Sequence, residues 1–366
     1  MAHGLRELAA EELLALGAEK IGRAVAGLHV HAEPEVIYRI LYESRLVTRV
    51  LAPLLVFDCH SDRYLHKTAK KLDWSAILDP DTTFMIVANV SQSRLSHSLY
   101  AAQVLKDAIV DRFREETGRR PSVNTVAPDV VLNLHIRDDR ATVSVDLGAG
   151  SLHRRGYRTD GGEAPLQETV AAALIRLSGW DGTTRLVDPL CGSGTLLAEA
   201  LMAHARIPAQ LLRERWGLPR LPDFDRAAWD RVRERARAAI RDVEPGLLSG
   251  SDADPAVLAA ARSHLDRLPG GSGIPLRCVP FQELGGIEHA TIVSNPPWGI
   301  RLGEREEAQA LLVQLGDFLK QRCRGSTAWL YFGDRELVKS VGLKTARKIP
   351  LRAGGLDGRL VAYELW

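Results

Sequence analysis

At 366 residues the chain is too long for one ordinary domain and predicts two or three, each able to bury its own core. Its composition, 45% hydrophobic with 26% charged residues, is that of a globular protein, and it holds no apolar run long enough to span a bilayer, so no membrane partner is expected. The formal net charge is only +2, and residues 1 to 160 hold 21 basic against 21 acidic side chains, so bulk charge decides nothing about nucleic acid and any RNA-binding surface has to be a local patch.

The opening MAHGLRELAAEELLALGA reads as an amphipathic helix with acids throughout, not as a basic leader, and a cytoplasmic location is expected. Residues 27 to 42 read as a strand followed by a helix. Short strands are predicted at 56 to 58 and 84 to 87, and a long helix from Ser96 to Arg114 carrying Leu99, Val104, Ile109 and Phe113 on one side. Residues 130 to 136 and 141 to 147 alternate with period two around Asp138 and Asp139, a hairpin signature. Flexible, polar residues from Thr159 to Gly162 mark a domain boundary. Beyond it strands at 184 to 188, 247 to 249, 290 to 294 and 328 to 332 alternate with helices starting at Gln167, Thr195, Pro255 and Glu304, which predicts a parallel sheet with helices on both faces. Cys59, Cys191, Cys278 and Cys323 have no paired spacing for zinc or a redox dithiol, so no metal is expected and a reduced compartment fits.

Three motifs sit at predicted strand ends. Asn295, Pro296, Pro297 and Trp298 follow an apolar strand and precede Gly299; the prolines fix a turn in which the Asn295 oxygen and the Pro296 carbonyl point at one spot able to accept hydrogen bonds from an amine, with Trp298 placed to lie against a flat base. Taken alone, these four residues also fit an ordinary double-proline turn. Asp188 to Thr195 (DPLCGSGT) joins a strand to a helix; Gly192 and Gly194 let backbone approach a ligand, while Asp188 suits a ligand bearing a positive amino group. The segment lacks both the dinucleotide fingerprint and the Gly-Lys-Ser/Thr of a phosphate loop. In GSDADP at 250 to 255, Asp252 is the candidate ribose ligand, and Asp254 is either a cofactor contact or the cap of the helix entered at Pro255. Cys191 lies in the cofactor turn, away from the base motif, and reads as a small packing residue instead of a nucleophile. His153 has no companion ligands and reads as a packing or hydrogen-bonding residue.

In this order, DPLCGSGT, GSDADP and NPPWG resemble the class I S-adenosylmethionine-dependent methyltransferases that act on exocyclic or amide nitrogens. HRRGYR at 153 to 158, APLQET at 164 to 169, GGLDGRLVAYEL at 354 to 365, the opening GLRELAAEELLALGA, SRLVTRVLAPL at 44 to 54 and the Phe224 to Trp229 segment extend the resemblance to the THUMP-containing RNA guanine-N2 methyltransferases, closest to the large-subunit ribosomal RNA branch. The resemblance implies an α/β chain in three parts: a ferredoxin-like segment over 1–50, a THUMP RNA-binding domain over 51–158, and a Rossmann-like methyltransferase domain over 159–366 with a helical insertion near 206–243. The α+β N-terminal region thus precedes the catalytic domain.

By the same resemblance the cofactor is S-adenosyl-L-methionine, leaving as S-adenosyl-L-homocysteine, and Asp188, Cys191, Gly192, Ser193, Gly194, Asp252 and Asp254 are its candidate contacts. Asn295, Pro296 and Trp298 are the catalytic candidates, accepting the hydrogens of a guanine N2 and clamping the base. Structured RNA is the implied partner, ribosomal or transfer, with no DNA expected; Arg63, Lys67, Lys70, Lys71, Arg154 and Arg155 are the candidate RNA contacts, with His66, Arg119, Arg120 and Arg158 in the same local charge runs. The arginines at 231, 233, 235 and 237 read instead as a solvated helix face. Two departures stand out: no Asp follows the third strand to hold the adenine, leaving Glu283 or backbone alone, and Trp298 stands where the family more often has Tyr or Phe. Within the resembled family a transfer RNA guanosine-N2 methyltransferase is the runner-up to the large-subunit ribosomal RNA enzyme, and a protein glutamine methyltransferase and a catalytically inactive RNA-binding protein are the further competing readings.

Overall fold

The computed structural model describes residues 5–24, 27–158, 166–298, 304–353 and 356–366. The boundary residues Thr159 to Gly162, the start of APLQET, Gly299, and Gly354 with Gly355 lie outside them. In chain order the first elements are α1 (Arg6–Ala15), β1 (Lys20–Arg23), β2 (Leu28–His31), α2 (Pro34–Glu43), β3 (Leu51–Asp58), α3 (Asp62–Ala69), β4 (Thr83–Ser91), α4 (Ser98–Thr117), β5 (Ser122–Val123), β6 (Val130–Arg137) and β7 (Arg140–Asp146). There follow α5 (Glu168–Ser178), β8 (Leu186–Asp188), α6 (Thr195–His204), α7 (Arg226–Ala238), β9 (Leu248–Asp252), α8 (Pro255–Asp266), β10 (Leu276–Cys278), β11 (Thr291–Ser294), α9 (Glu304–Arg322), β12 (Thr327–Phe332), β13 (Arg347–Ala353) and β14 (Leu356–Glu364).

The chain packs as two compact units, one made of residues 49–152 and 213–230, the other of 1–48, 153–212 and 231–366. In the first, five strands run in the order β3-β7-β6-β4-β5. The predicted hairpin is β6 and β7, antiparallel with Arg137 opposite Arg140, and its two turn residues Asp138 and Asp139 both take positive φ (51° and 56°). Two consecutive left-handed residues give the turn the twist of its strands, and Asp tolerates that conformation better than most residues. Residues 213–230, from the insertion, belong here through backbone contacts: Arg213 donates to the carbonyls of Gly148 and Ser151, and Arg215 to those of Ala127 and Pro128.

One expectation fails on α4. Its buried side carries Ala101, Leu105, Ala108, Ile109, Val110 and Phe113, whereas Leu99 is 76% exposed. With about 3.6 residues per turn, a five-residue step from Leu99 to Val104 carries the chain well off one face, so the four residues do not form a stripe.

In the second unit seven strands run β10-β9-β8-β11-β12-β14-β13. The first five are parallel, as the alternation of strand and helix predicts. The sheet then departs from the expected all-parallel form, because β14 pairs antiparallel with β12 and β13 antiparallel with β14. A hairpin needs no crossover helix, so the C-terminal strands leave no helical signal between them. Side chains alternate across the sheet: Leu186, Val293, Trp329 and Tyr331 join the core that includes α5 and α6, while Val187, Ile292, Ala328, Leu330 and Phe332 join the one that includes α9. The N-terminal residues are tied to this unit by Arg45, whose Nη2 donates to the Ile207 carbonyl at 2.7 Å and to that of Met202. Strand order reverses at β8, with β9 on one side and β11 on the other, and in such sheets the crevice beyond the carboxyl ends there is the usual ligand position. No helix among the described residues is long and apolar enough to cross a membrane.

Candidate active site

All three motifs emerge at that crevice: Asp188 ends β8, Asp252 ends β9, and Asn295 follows β11. The loop from Asp188 to α6 is a glycine turn, with Gly192 at φ 51° and Gly194 at φ 76°. At Gly194 a Cβ would also sit 3.1 Å from the Ala261 Cβ, so the residue serves both the left-handed backbone and the close approach of α8. The turn is held from several sides. The Asp252 carboxylate accepts from the Gly192 N–H at 2.9 Å and from the Asp254 N–H at 3.0 Å, and the Cys191 N–H donates to the Ser251 carbonyl at 2.9 Å. Buried His264 on α8 donates from Nδ1 to the Ser193 carbonyl at 3.0 Å.

Asp188 is 1% exposed, and burial pushes its carboxyl up to about 7, against the hydroxyl of Ser294 (2.7 Å) and the Leu190 N–H (3.2 Å), which favour the charged form; the like charge of Asp252 works with burial. The Ser294 bond joins the end of β8 to the residue before Asn295. Cys191 is buried, and burial followed by the charges of Asp188 and Asp252 holds its thiol well above the ordinary range, which is the opposite of an activated nucleophile. Exposed Asp254 caps α8, its carboxylate accepting from the N–H groups of Ala256 (2.8 Å) and Val257 (3.4 Å).

Asn295 is half-buried, and its Oδ1 is fully enclosed with no hydrogen-bond partner among the described residues. Leaving such an acceptor unpaired costs free energy, of order 1–3 kcal/mol, which a donor from a substrate would recover. Buried Pro296 and exposed Pro297 lead to Trp298, whose indole meets Tyr331 edge-on at 5.4 Å and donates to the Tyr331 carbonyl at 3.3 Å. Its seat is Gly333, where a Cβ would fall 2.4 Å from the Trp298 ring. Gly333, Ser294 and His264 escape a reading of the sequence because their partners are remote in the chain. Glu283 is exposed on the turn Phe281–Glu283 after β10. No group of three or more His, Cys, Asp or Glu among the described residues could hold a metal ion.

The predicted RNA contacts divide. Arg63, Lys67 and Lys71 are exposed at four-residue intervals, whereas His66 and Lys70 face α4 and pair with Asp111 (3.0 Å) and Glu115 (2.5 Å). Arg119 pairs with Asp81, and Arg120 is exposed. Arg154 is exposed, but Arg155 is a correction: its side chain is 1% exposed and bound to the fully buried Glu199 at 3.2 Å, so it braces α6 and has no surface to offer a phosphate. Arg158 likewise turns inward, to the Leu166 carbonyl and the Thr195 hydroxyl, and His153 bonds Glu168 at 3.2 Å.

Residues 155–362 match the family described as the RMKL-like methyltransferase domain, residues 61–146 the THUMP domain, and residues 1–51 the RlmL ferredoxin-like domain. A putative RNA methyltransferase of Synechocystis sp. is 38% identical over 367 residues, spanning 100% of this chain and 96% of its own. A ribosomal RNA large subunit methyltransferase K/L of Syntrophotalea carbinolica is 37% identical over 377 residues, 99% of this chain but 52% of its own, so the chain spans about half the length of that relative. A putative methyltransferase crystallised with SAH superposes with a TM-score of 0.86 at 25% identity, covering 100% of this chain and 96% of that one. The chain belongs to the RMKL-like methyltransferase family, with RlmL ferredoxin-like and THUMP domains ahead of its methyltransferase domain.

Proposed function

We propose that the protein methylates the exocyclic N2 of a guanosine in structured large-subunit ribosomal RNA, using S-adenosyl-L-methionine. The observation that carries this reading is the enclosed, unpartnered Asn295 Oδ1 at the carboxyl end of β11. An amide oxygen there accepts an amine hydrogen and offers nothing to a hydroxyl-free, amine-free substrate. With the Pro296 carbonyl as second acceptor, both N2 hydrogens are held and the nitrogen lone pair is turned out of conjugation with the ring. Trp298, fixed by Gly333 and Tyr331, limits the orientations open to an extruded base.

The residues at the ends of β8 and β9 suit the cofactor: glycine backbone at 192 and 194 with Ser193 and Cys191 for its methionine part, Asp188 for its amino group through Oδ2, since Ser294 and Leu190 both bond Oδ1, and Asp252 for its ribose hydroxyls, since each of its oxygens accepts one backbone N–H and keeps a further lone pair. When bound, S-adenosyl-L-methionine supplies a methyl group already activated by the sulfonium. Positioning then provides most of the acceleration, and no general base is needed before transfer. The exposed cations Arg63, Lys67 and Lys71 on the THUMP region are suited to phosphates of a folded RNA.

Nucleoside mass spectrometry of separated ribosomal and transfer RNA from a deletion strain tests the substrate. Loss of N2-methylguanosine from large-subunit ribosomal RNA, restored by the wild-type gene but not by Asn295→Ala, is expected. Loss from transfer RNA alone redirects the reading to that substrate, and loss from neither pool sinks it. In the purified protein, Asn295→Ala should cut turnover by about 100-fold or more, in line with the removal of a single preorganised polar group, while the thermal shift with S-adenosylhomocysteine is kept.

A further inference from the structure

Residues 337–356 hold Lys339, Lys344, Arg347, Lys348 and Arg352 and no Asp or Glu, in a chain whose total charge is nearly balanced. Lys339, Lys344, Arg347 and Lys348 are exposed, and none of the four pairs with an acid among the described residues. That sets them apart from Lys70 and Arg119 on the THUMP side and from Arg305, whose guanidinium meets Asp334 and Glu336.

Register places this charge relative to the site. β13 is the edge of the seven-stranded sheet and runs in the same sense as β12, because each is antiparallel to β14. Arg347 lies level with Ala362 and so with Trp329, while Pro350 lies level with Arg359 and so with Phe332, the last residue of β12. From Arg347 the edge strand therefore climbs about 10 Å to the carboxyl end of the sheet, roughly two strand spacings, or about 10 Å, to the side of β12. Lys339 sits on the turn Arg335–Val341 that leaves β12 just past Gly333, the seat of Trp298. Arg347 shares the sheet face of Ile349 and Leu351 and Lys348 the face of Val361, so the two cations straddle the exposed edge of β13, with Lys344 before it and Lys339 on the turn beyond β12.

We propose that Lys339, Lys344, Arg347 and Lys348 form a phosphate-binding track that holds the RNA strand flanking the target nucleotide against the catalytic unit. This rests on the RNA reading above. Charged residues on an edge strand also discourage sheet-to-sheet pairing, and Pro350 on β13 serves that purpose. Edge protection does not account for Lys339 and Lys344, which lie off the strand. A nucleotide drawn out of a folded RNA needs its neighbours held while it is extruded, and unpaired cations beside the site meet that need at the lowest desolvation cost.

The test compares the full-length protein with Lys344→Glu/Arg347→Glu/Lys348→Glu, using an unmodified large-subunit ribosomal RNA transcript over a salt series. The variant should bind about tenfold or more weakly at moderate salt, and the slope of log affinity against log salt should flatten by about 0.7 to 0.9 for each phosphate that is no longer neutralised. The thermal shift with S-adenosylhomocysteine and the oligomeric state should match wild type. Should the reversal variant fail to fold, the triple glutamine variant is expected to show the same flattening with a smaller loss. Equal affinity and slope in wild type and a folded variant overturn the track, and self-association at unchanged affinity assigns the charges to edge protection instead. A wild-type protein that binds no RNA at all takes down both this proposal and the reading beneath it.

Discussion

The carboxyl ends of β8, β9 and β11 and the cationic segments at 63–71 and 153–158 were both marked by short sequence patterns, but the two kinds of pattern have different fates in the fold. At the strand ends, segments more than a hundred residues apart converge, with Ser294 before Asn295 bonded to Asp188 at the end of β8. Among the charge runs, neighbouring residues part: Arg154 is exposed and Arg155 buried, Lys71 is exposed and Lys70 drawn to Glu115. A strand-to-helix turn is constrained by its own backbone, through glycine, proline and the strand it ends. A charge is placed by what packs beside it, and neither Glu199 nor Glu115 is visible from the run itself.

The sharpest way to break this contrast is to truncate an arginine of each kind. Arg155→Ala leaves the Glu199 carboxylate buried without its partner and should cost about 3–5 kcal/mol of stability, measured by urea unfolding. The triple Arg63→Ala/Lys67→Ala/Lys71→Ala variant, on exposed positions, should change stability by only about 0.5 kcal/mol per site while weakening RNA binding. Comparable, small losses of stability from both would mean that Arg155 is a surface cation after all.

Asp188 sharpens the other half of the comparison, because it is a strand-end residue whose burial no local pattern announces. Its ordinary carboxyl value is about 3.9 and its folded value about 7. An acid raised on folding favours the native state when protonated, so its contribution is complete below about pH 4, is lost as pH rises towards 7, and is level above that. Cofactor affinity should run the other way, increasing through pH 7 as the carboxylate forms to meet an amino group. Asp188→Asn should remove both trends: the protein without ligand becomes more stable than wild type at pH 8, and cofactor affinity is weak and flat with pH. Unfolding and thermal-shift series over pH 5 to 8 measure these, and a variant retaining the wild-type slopes would show that another group sets them.

Much of the fold was legible because local chemistry and period agreed. The Asp138-Asp139 hairpin and the strand-helix alternation from Leu186 to Phe332 required only turn residues and apolar runs. The β13–β14 hairpin was not legible, because Pro350 and the glycines after it interrupt any clean alternation and no helix separates the strands. Within the site the motif residues themselves were visible, but their supports were not. Ser294 acts on Asp188 at a separation of 106 residues and His264 on Ser193 at 71, and Gly333 matters only because the Trp298 ring lies on it. Sheet register creates those neighbours, and no local spacing announces them.

Asp254 gives the smallest and most discriminating effect, since a cap and a cofactor contact are both consistent with its position after β9. Its carboxylate satisfies two N–H groups at the start of α8, with Pro255 occupying the first helical position. Asp254→Ala should therefore lose about 1 kcal/mol of stability, whereas Asp254→Ser, which can still accept from those N–H groups, should lose only a few tenths. If capping is the whole role, cofactor affinity follows stability: serine restores both. If the carboxylate also meets the cofactor, serine restores stability alone, and affinity stays at the alanine level in a titration with S-adenosylhomocysteine. The two variants thus separate a charge that only finishes a helix from one that faces the crevice.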